Sequence, residues 1–265
     1  MKLLLLYRSR SWYNDLIRER GESVHQPHDK GYKSLFAVKS VFLQFLRRFI
    51  AEPWTLKLRE EDLIRVDKAF VTAGYRGRES DLVYRAKIEE RNRSIRFYIL
   101  VEFQSESDRL MPLRLHTYQG ELWQDAVKNS GISPQSLAFT LPRIIPIVIY
   151  NGKKPWKAPL RFHDLLTVSQ DLQDYATVQS YILIDIHRLD PKKLLEQGNL
   201  VGSVFLLDRA DHVQDLIRLL KDLRGTIQRF NELEYGLFRN WARRILAGKL
   251  PRTSQEMLLQ MIDEE

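Results

Sequence analysis

The stretch Arg96-Phe97-Tyr98-Ile99-Leu100-Val101-Glu102-Phe103-Gln104 decides the architecture. In an extended chain, successive side chains point to opposite faces. Phe97, Ile99, Val101 and Phe103 then share one face; Tyr98, Leu100, Glu102 and Gln104 share the other. A run that is apolar on both faces belongs to an interior strand covered by helices. The same run carries one acid amid hydrocarbon, and an ionised carboxylate there is costly unless something pairs with it.

Working outward, Ser80 to Lys87 (SDLVYRAK) alternates, with Leu82, Tyr84 and Ala86 on one face and Asp81, Val83, Arg85 and Lys87 on the other. The link Ile88–Ile95 (IEERNRSI) is short and charged, which predicts a hairpin between these two strands. Val66 to Val71 (VDKAFV) adds a third strand. Upstream, apolar residues recur at helical spacing from Ser34 to Ile50, and Pro53 ends the run. Downstream, Met111 to Val127 reads as a helix, with Pro112 tolerated in its first turn.

Ile144–Tyr150 and Tyr181–Ile186 are further buried strands. Between them, Asn151–Gln179 carries loop signals (NGKKPWKAP) and a short helix. Helical patterns follow at Val213–Leu223, Ile227–Ile245 and Ser254–Ile262. The order predicts an α/β core with a helical C-terminal part. The expected division is an N-terminal extension over 1–27, the core over 28–200 and a helical region over 201–265.

With 265 residues, 44% of them apolar and 29% charged, the composition is that of a folded globular chain and excludes bulk disorder. There is no cysteine, so disulfides, zinc thiolates, iron–sulfur clusters and thiol nucleophiles are excluded. The net charge is +8, and residues 1–130 supply +6 of it. Such an excess suits a polyanionic partner. The apolar run Leu3–Leu6 is four residues, short of the ~7–15 of a secretion signal. No run of ~20 apolar residues follows. The expected location is cytoplasmic, with no membrane partner.

Glu102 and Gln104 lie on one strand face, with Cα atoms about 6.7 Å apart. Asp81 poses the same burial problem on the neighbouring strand. If the strands pair and the two carboxylates meet at ~4 Å, their repulsion is about 4 kcal/mol at an effective dielectric of 20. Such a pair needs a cation, and hard oxygen ligands favour Mg²⁺ or Mn²⁺. The plain alternative is a pair of strand-end acids, solvated or matched by Arg85, Lys87 or Arg114. Arg114 and Tyr118 are four apart on one helix face, suited to phosphate, though Tyr118 serves equally well as core. Lys30 and Lys33 lie at the start of the first helix, where phosphate is attracted; solvated lysines are the alternative. His116 has no evident partner.

Three blocks together carry a resemblance. They are His28-Asp29-Lys30-Gly31-Tyr32-Lys33-Ser34-Leu35-Phe36, then Arg78-Glu79-Ser80-Asp81-Leu82-Val83-Tyr84, then Val101-Glu102-Phe103-Gln104-Ser105 with Asp108 and Met111-Pro112-Leu113-Arg114-Leu115. In this order they resemble the YhgA-like putative transposase family, also called Rpn or recombination-promoting nucleases, within the PD-(D/E)XK superfamily. The resemblance runs from about His28 to Asn151, and more loosely to Leu183 and Trp241. It implies a restriction-endonuclease-like core of helix, three-stranded meander, helix and further strands. It also implies a metal-dependent DNA endonuclease associated with recombination or mobile DNA.

By the same resemblance, Asp81 and Glu102 hold Mg²⁺, with Mn²⁺ or another divalent cation as substitute. The backbone carbonyl of Phe103 is a further ligand, and Glu79 an auxiliary carboxylate. Gln104 orients the attacking water. The wider superfamily most often has Lys where this chain has Gln104; an amide can hydrogen-bond the water but adds no charge. Lys87, on the Asp81 face by period two, is the candidate for a migrated cation. The Gln keeps open a non-catalytic DNA-binding protein with the same fold, and a small-molecule or RNA-directed member is a third reading. The helices from Val213 onward either close the core or form a homodimer interface.

Overall fold

The computed structural model describes residues 27–66, 82–91, 93–167, 171 and 179–263. Its centre is a five-stranded mixed sheet of β1 (Leu63–Arg65), β2 (Leu82–Glu90), β3 (Arg93–Gln104), β4 (Arg143–Tyr150) and β5 (Ile182–Asp185), side by side in that order. β1, β2 and β3 form an antiparallel meander, whereas β4 and β5 run parallel to β3. The expected hairpin between the second and third strands is present, with Leu82 opposite Val101 and Lys87 opposite Arg96. β1 at Leu63–Arg65 lies just before the strand expected at Val66–Val71, of which residues 67–71 are outside the described residues.

The helices are α1 (Pro27–Phe36), α2 (Lys39–Phe45), α3 (Pro53–Leu56), α4 (Met111–Lys128), α5 (Pro191–Glu196), α6 (Leu200–Asp208), α7 (Val213–Ile227), α8 (Glu232–Lys249) and α9 (Arg252–Asp263). One sheet face, with Leu82, Tyr84, Phe97, Ile99, Val101 and Phe103, is buried under α1, α2 and α6–α9. The other, with Val83, Tyr98, Leu100 and Val148, is buried under α4, Trp156 and Tyr181. This is why β3 reads as apolar on both sides. The aromatic contacts are close: Tyr32 stacks on Phe103 at 5.7 Å, and Phe42 on Tyr84 at 4.6 Å. Each large side chain so buried contributes roughly 1.5–3 kcal/mol relative to exposure. The helices from Val213 close the core through Leu216, Leu220, Leu223, Trp241 and Leu258.

The single helix expected over Ser34–Ile50 is broken. Val38 is extended (φ −85°, ψ 118°), and α2 runs into a π-helical turn at Leu46–Ile50. The cause is Tyr84, whose hydroxyl donates to the carbonyls of Phe36 (2.9 Å) and Ala37 (3.0 Å). A side chain that captures main-chain carbonyls in this way separates two helices. α6 has no counterpart in the sequence reading. All nine of its residues are buried, so it is apolar all round and shows no 3.6-residue alternation. The helix expected over Ile227–Ile245 is also divided. Asn231 caps α8 with Glu234 in a reciprocal pair, and Ile227 ends α7. Among the described residues no helix is long and apolar enough to cross a membrane.

Candidate active site

Glu102 is the third-last residue of β3, which ends at Gln104. Its side chain is 0% exposed and faces α4. Asp108 prepares the turn into that helix, its Oδ1 accepting from the Leu110 amide at 3.0 Å. The first turn of α4 then brings Arg114 against the strand. One terminal guanidinium nitrogen donates to Glu102 Oε2. Nε donates to the Tyr118 hydroxyl at 3.3 Å, and Nη1 lies 3.9 Å from Asp108 Oδ2. The guanidinium carbon sits 5.9 Å from the Tyr118 ring centroid. One cation therefore bridges two carboxylates and leans on an aromatic ring. Burial of a lone carboxylate is offset here by a charge-assisted hydrogen bond.

The candidates do not all meet. Gln104 is half-buried at the end of β3, and its carbonyl accepts from the Asn151 amide at 3.0 Å. The Phe103 side chain turns the other way, into the stack with Tyr32 and Phe36. Lys87 is not beside Glu102. It pairs across the hairpin with Arg96, six residues before Glu102 and so about 20 Å along the strand. Its Nζ lies 3.0 Å from Glu89 Oε1. A face shared by period two says nothing of distance along the strand. Tyr118 is 2% exposed, so it is a core residue that supports Arg114 rather than a phosphate contact. Lys30 and Lys33 belong to α1, which packs on the Phe103 side of the sheet, opposite Arg114.

His116 stacks on Phe162 at 4.6 Å and meets Gln179, a packing role. Asp81 and Glu79 lie outside the described residues. Asp108, quoted in the sequence motif without a role, anchors both Arg114 and the helix start. An acid three residues before a helix is the signal that identifies it.

Among the described residues no three His, Asp or Glu side chains gather as a cation site. The donors present at the end of β3 are the Glu102 carboxylate, the Gln104 amide and the Phe103 carbonyl, all hard oxygens of the class Mg²⁺ and Mn²⁺ accept. They fit such an ion in kind; the Asp108 carboxylate is engaged by Arg114 and the Leu110 amide, and the second acid expected, Asp81, lies outside the described residues.

A family model described as putative transposase, YhgA-like, matches residues 26–237. The chain belongs to the YhgA-like putative transposase family. The match to the YhgA-like family spans the whole sheet and continues through α7. Membership makes the chain transposase-like and associates it with mobile DNA and with DNA as a partner. No curated protein and no solved structure matches the chain.

Proposed function

We propose that this YhgA-like protein is a metal-dependent DNA endonuclease with a PD-(D/E)XK core, acting on mobile or recombining DNA. The order α1–α2, the meander β1–β3, α4 and parallel β4 supports that core. The observation that carries the reading is a fully buried Glu102 on the central strand, beside a strand whose first residue, Leu82, pairs with Val101. Asp81 and Glu102 are the sequence neighbours of that pair. The proposal makes these two acids the holders of Mg²⁺, with the Phe103 carbonyl completing the set and Glu79 as an auxiliary acid.

A divalent cation held there supplies a more acidic water and offsets charge developing on the phosphate. The chain's own groups do the rest. Arg114 and Asp108 fix the Glu102 carboxylate in one orientation, and Gln104 holds the attacking water by hydrogen bonding. The core under α4 excludes bulk water from one side. One observation favours a second reading, a DNA-binding protein without turnover: Arg114 already neutralises Glu102, and Gln104 brings no charge.

Nicking of supercoiled plasmid separates the two. Wild-type protein with Mg²⁺ or Mn²⁺ is expected to relax the plasmid, and Asp81→Ala and Glu102→Ala to fall to background while still binding DNA. Binding by the wild type without cleavage in either metal selects the second reading.

A further inference from the structure

In open α/β sheets, ligands bind outside the carboxyl ends of the parallel strands. Here those ends are Gln104, Tyr150 and Asp185. The loop leaving β4 reads Asn151-Gly152-Lys153-Lys154-Pro155-Trp156-Lys157. Its backbone is held at nearly every step. The Asn151 amide donates to the Gln104 carbonyl at 3.0 Å. Arg188 donates to the carbonyls of Gly152 (3.4 Å) and Lys153 (3.0 Å), and the Tyr150 hydroxyl to that of Lys154 (2.8 Å). The Lys157 amide donates to Ser107 Oγ at 2.9 Å, which stitches the loop to the segment joining Glu102 to Arg114. The Trp156 indole donates to the Tyr181 hydroxyl at 2.9 Å. Gly152 is required by a close approach, because a Cβ there would lie 2.2 Å from the Tyr150 hydroxyl.

This network fixes carbonyls inward and leaves the lysine side chains outward. Lys153, Lys154 and Lys157 are exposed. Lys153 pairs with Asp211 at 2.7 Å, and Asp185 is matched by Arg188 at 3.5 Å. Glu106, which adds to the raised pKa that burial gives the Tyr150 phenol, is exposed nearby. Lys154 and Lys157 have no ion pair among the described residues. A loop ordered before its ligand arrives loses little further entropy on binding.

We propose that the Asn151–Lys157 loop is a preformed clamp for the DNA backbone, with Lys154 and Lys157 contacting phosphates next to the Glu102 site. The inference rests on the endonuclease reading and adds where the duplex lies. Each phosphate contact releases condensed counterions and steepens the fall of affinity with salt.

The test is binding of a short duplex, followed by fluorescence anisotropy across a salt series with Ca²⁺ in place of Mg²⁺. In Lys154→Ala/Lys157→Ala the slope of log affinity against log salt is expected to shrink by about 1.8. The wild-type advantage then changes by about tenfold between about 50 and 200 mM salt. Lys154→Arg/Lys157→Arg is expected to keep the wild-type slope, as is Lys87→Ala/Arg96→Ala at the far end of the strands. A double alanine variant with wild-type slope and affinity overturns the clamp and leaves the endonuclease reading intact. A wild-type protein that binds no duplex at any salt overturns both.

Discussion

Arg114→Ala is expected to lower the free energy of unfolding by about 3–5 kcal/mol, clearly more than Glu102→Ala. The two partners are unequal. The Glu102 side chain is 0% exposed, and that of Arg114 is 21% exposed. Without Arg114, the carboxylate loses a charge-assisted hydrogen bond at a place where it is 0% exposed, and removing one partner of a buried pair is the costly case. Without Glu102, the guanidinium still has Asp108, the Tyr118 hydroxyl and a path to solvent. Urea unfolding of both single variants and the double variant measures the coupling. The double variant should resemble Glu102→Ala. A cost for Arg114→Ala below about 1 kcal/mol would mean that the pair behaves as an exposed one.

Asp208→Ala is expected to be of similar size, about 3–5 kcal/mol, for a reason remote from the site. Asp208 closes α6 and is 4% exposed. Its carboxylate accepts from the Tyr32 hydroxyl at 2.7 Å and the Asn151 amide group at 3.0 Å, with Lys249 Nζ at 3.5 Å. These partners come from α1, from the chain just after β4 and from the end of α8. Burial, reinforced by Asp208, holds the Tyr32 phenol far above its ordinary pKa, so it stays a donor. Removing the carboxylate takes the acceptor from a buried phenol and from the Asn151 amide group at once, while Lys249 keeps the carbonyls of residues 208 and 210. Asp208→Asn keeps an acceptor and should lose roughly 1–3 kcal/mol. A denaturation midpoint for the alanine variant equal to that of the wild type refutes this role of Asp208.

β2 and β3 were legible because β3 advertises its place. A run apolar on both faces has to be central, and the hairpin with β2 follows from the charged link between them. α4 was legible from its apolar stripe. α6 was not, because a helix buried on every side has no alternation to read. The break between α1 and α2 was not legible either, since its cause is a tyrosine hydroxyl 48 residues away.

At the site, the need of Glu102 for a partner was evident from an acid in hydrocarbon, and Arg114 stood among its simple partners. Lys87 went astray because period two fixes a face and not a position along it. Tyr118 shares a helix face with Arg114 as its spacing requires, but that face turns inward. Lys30 and Lys33 could not be assigned to a side of the sheet before α1 was seen against Phe103.

The central claim is that Glu102 and Asp81 hold one divalent ion together. A crystal soaked in Mn²⁺ and measured for anomalous scattering tests it directly. An anomalous peak is expected within coordination distance of both carboxylates, lost in Glu102→Ala. No peak at Glu102, or Mn²⁺ bound only at other positions while Arg114 keeps the carboxylate to itself, contradicts it.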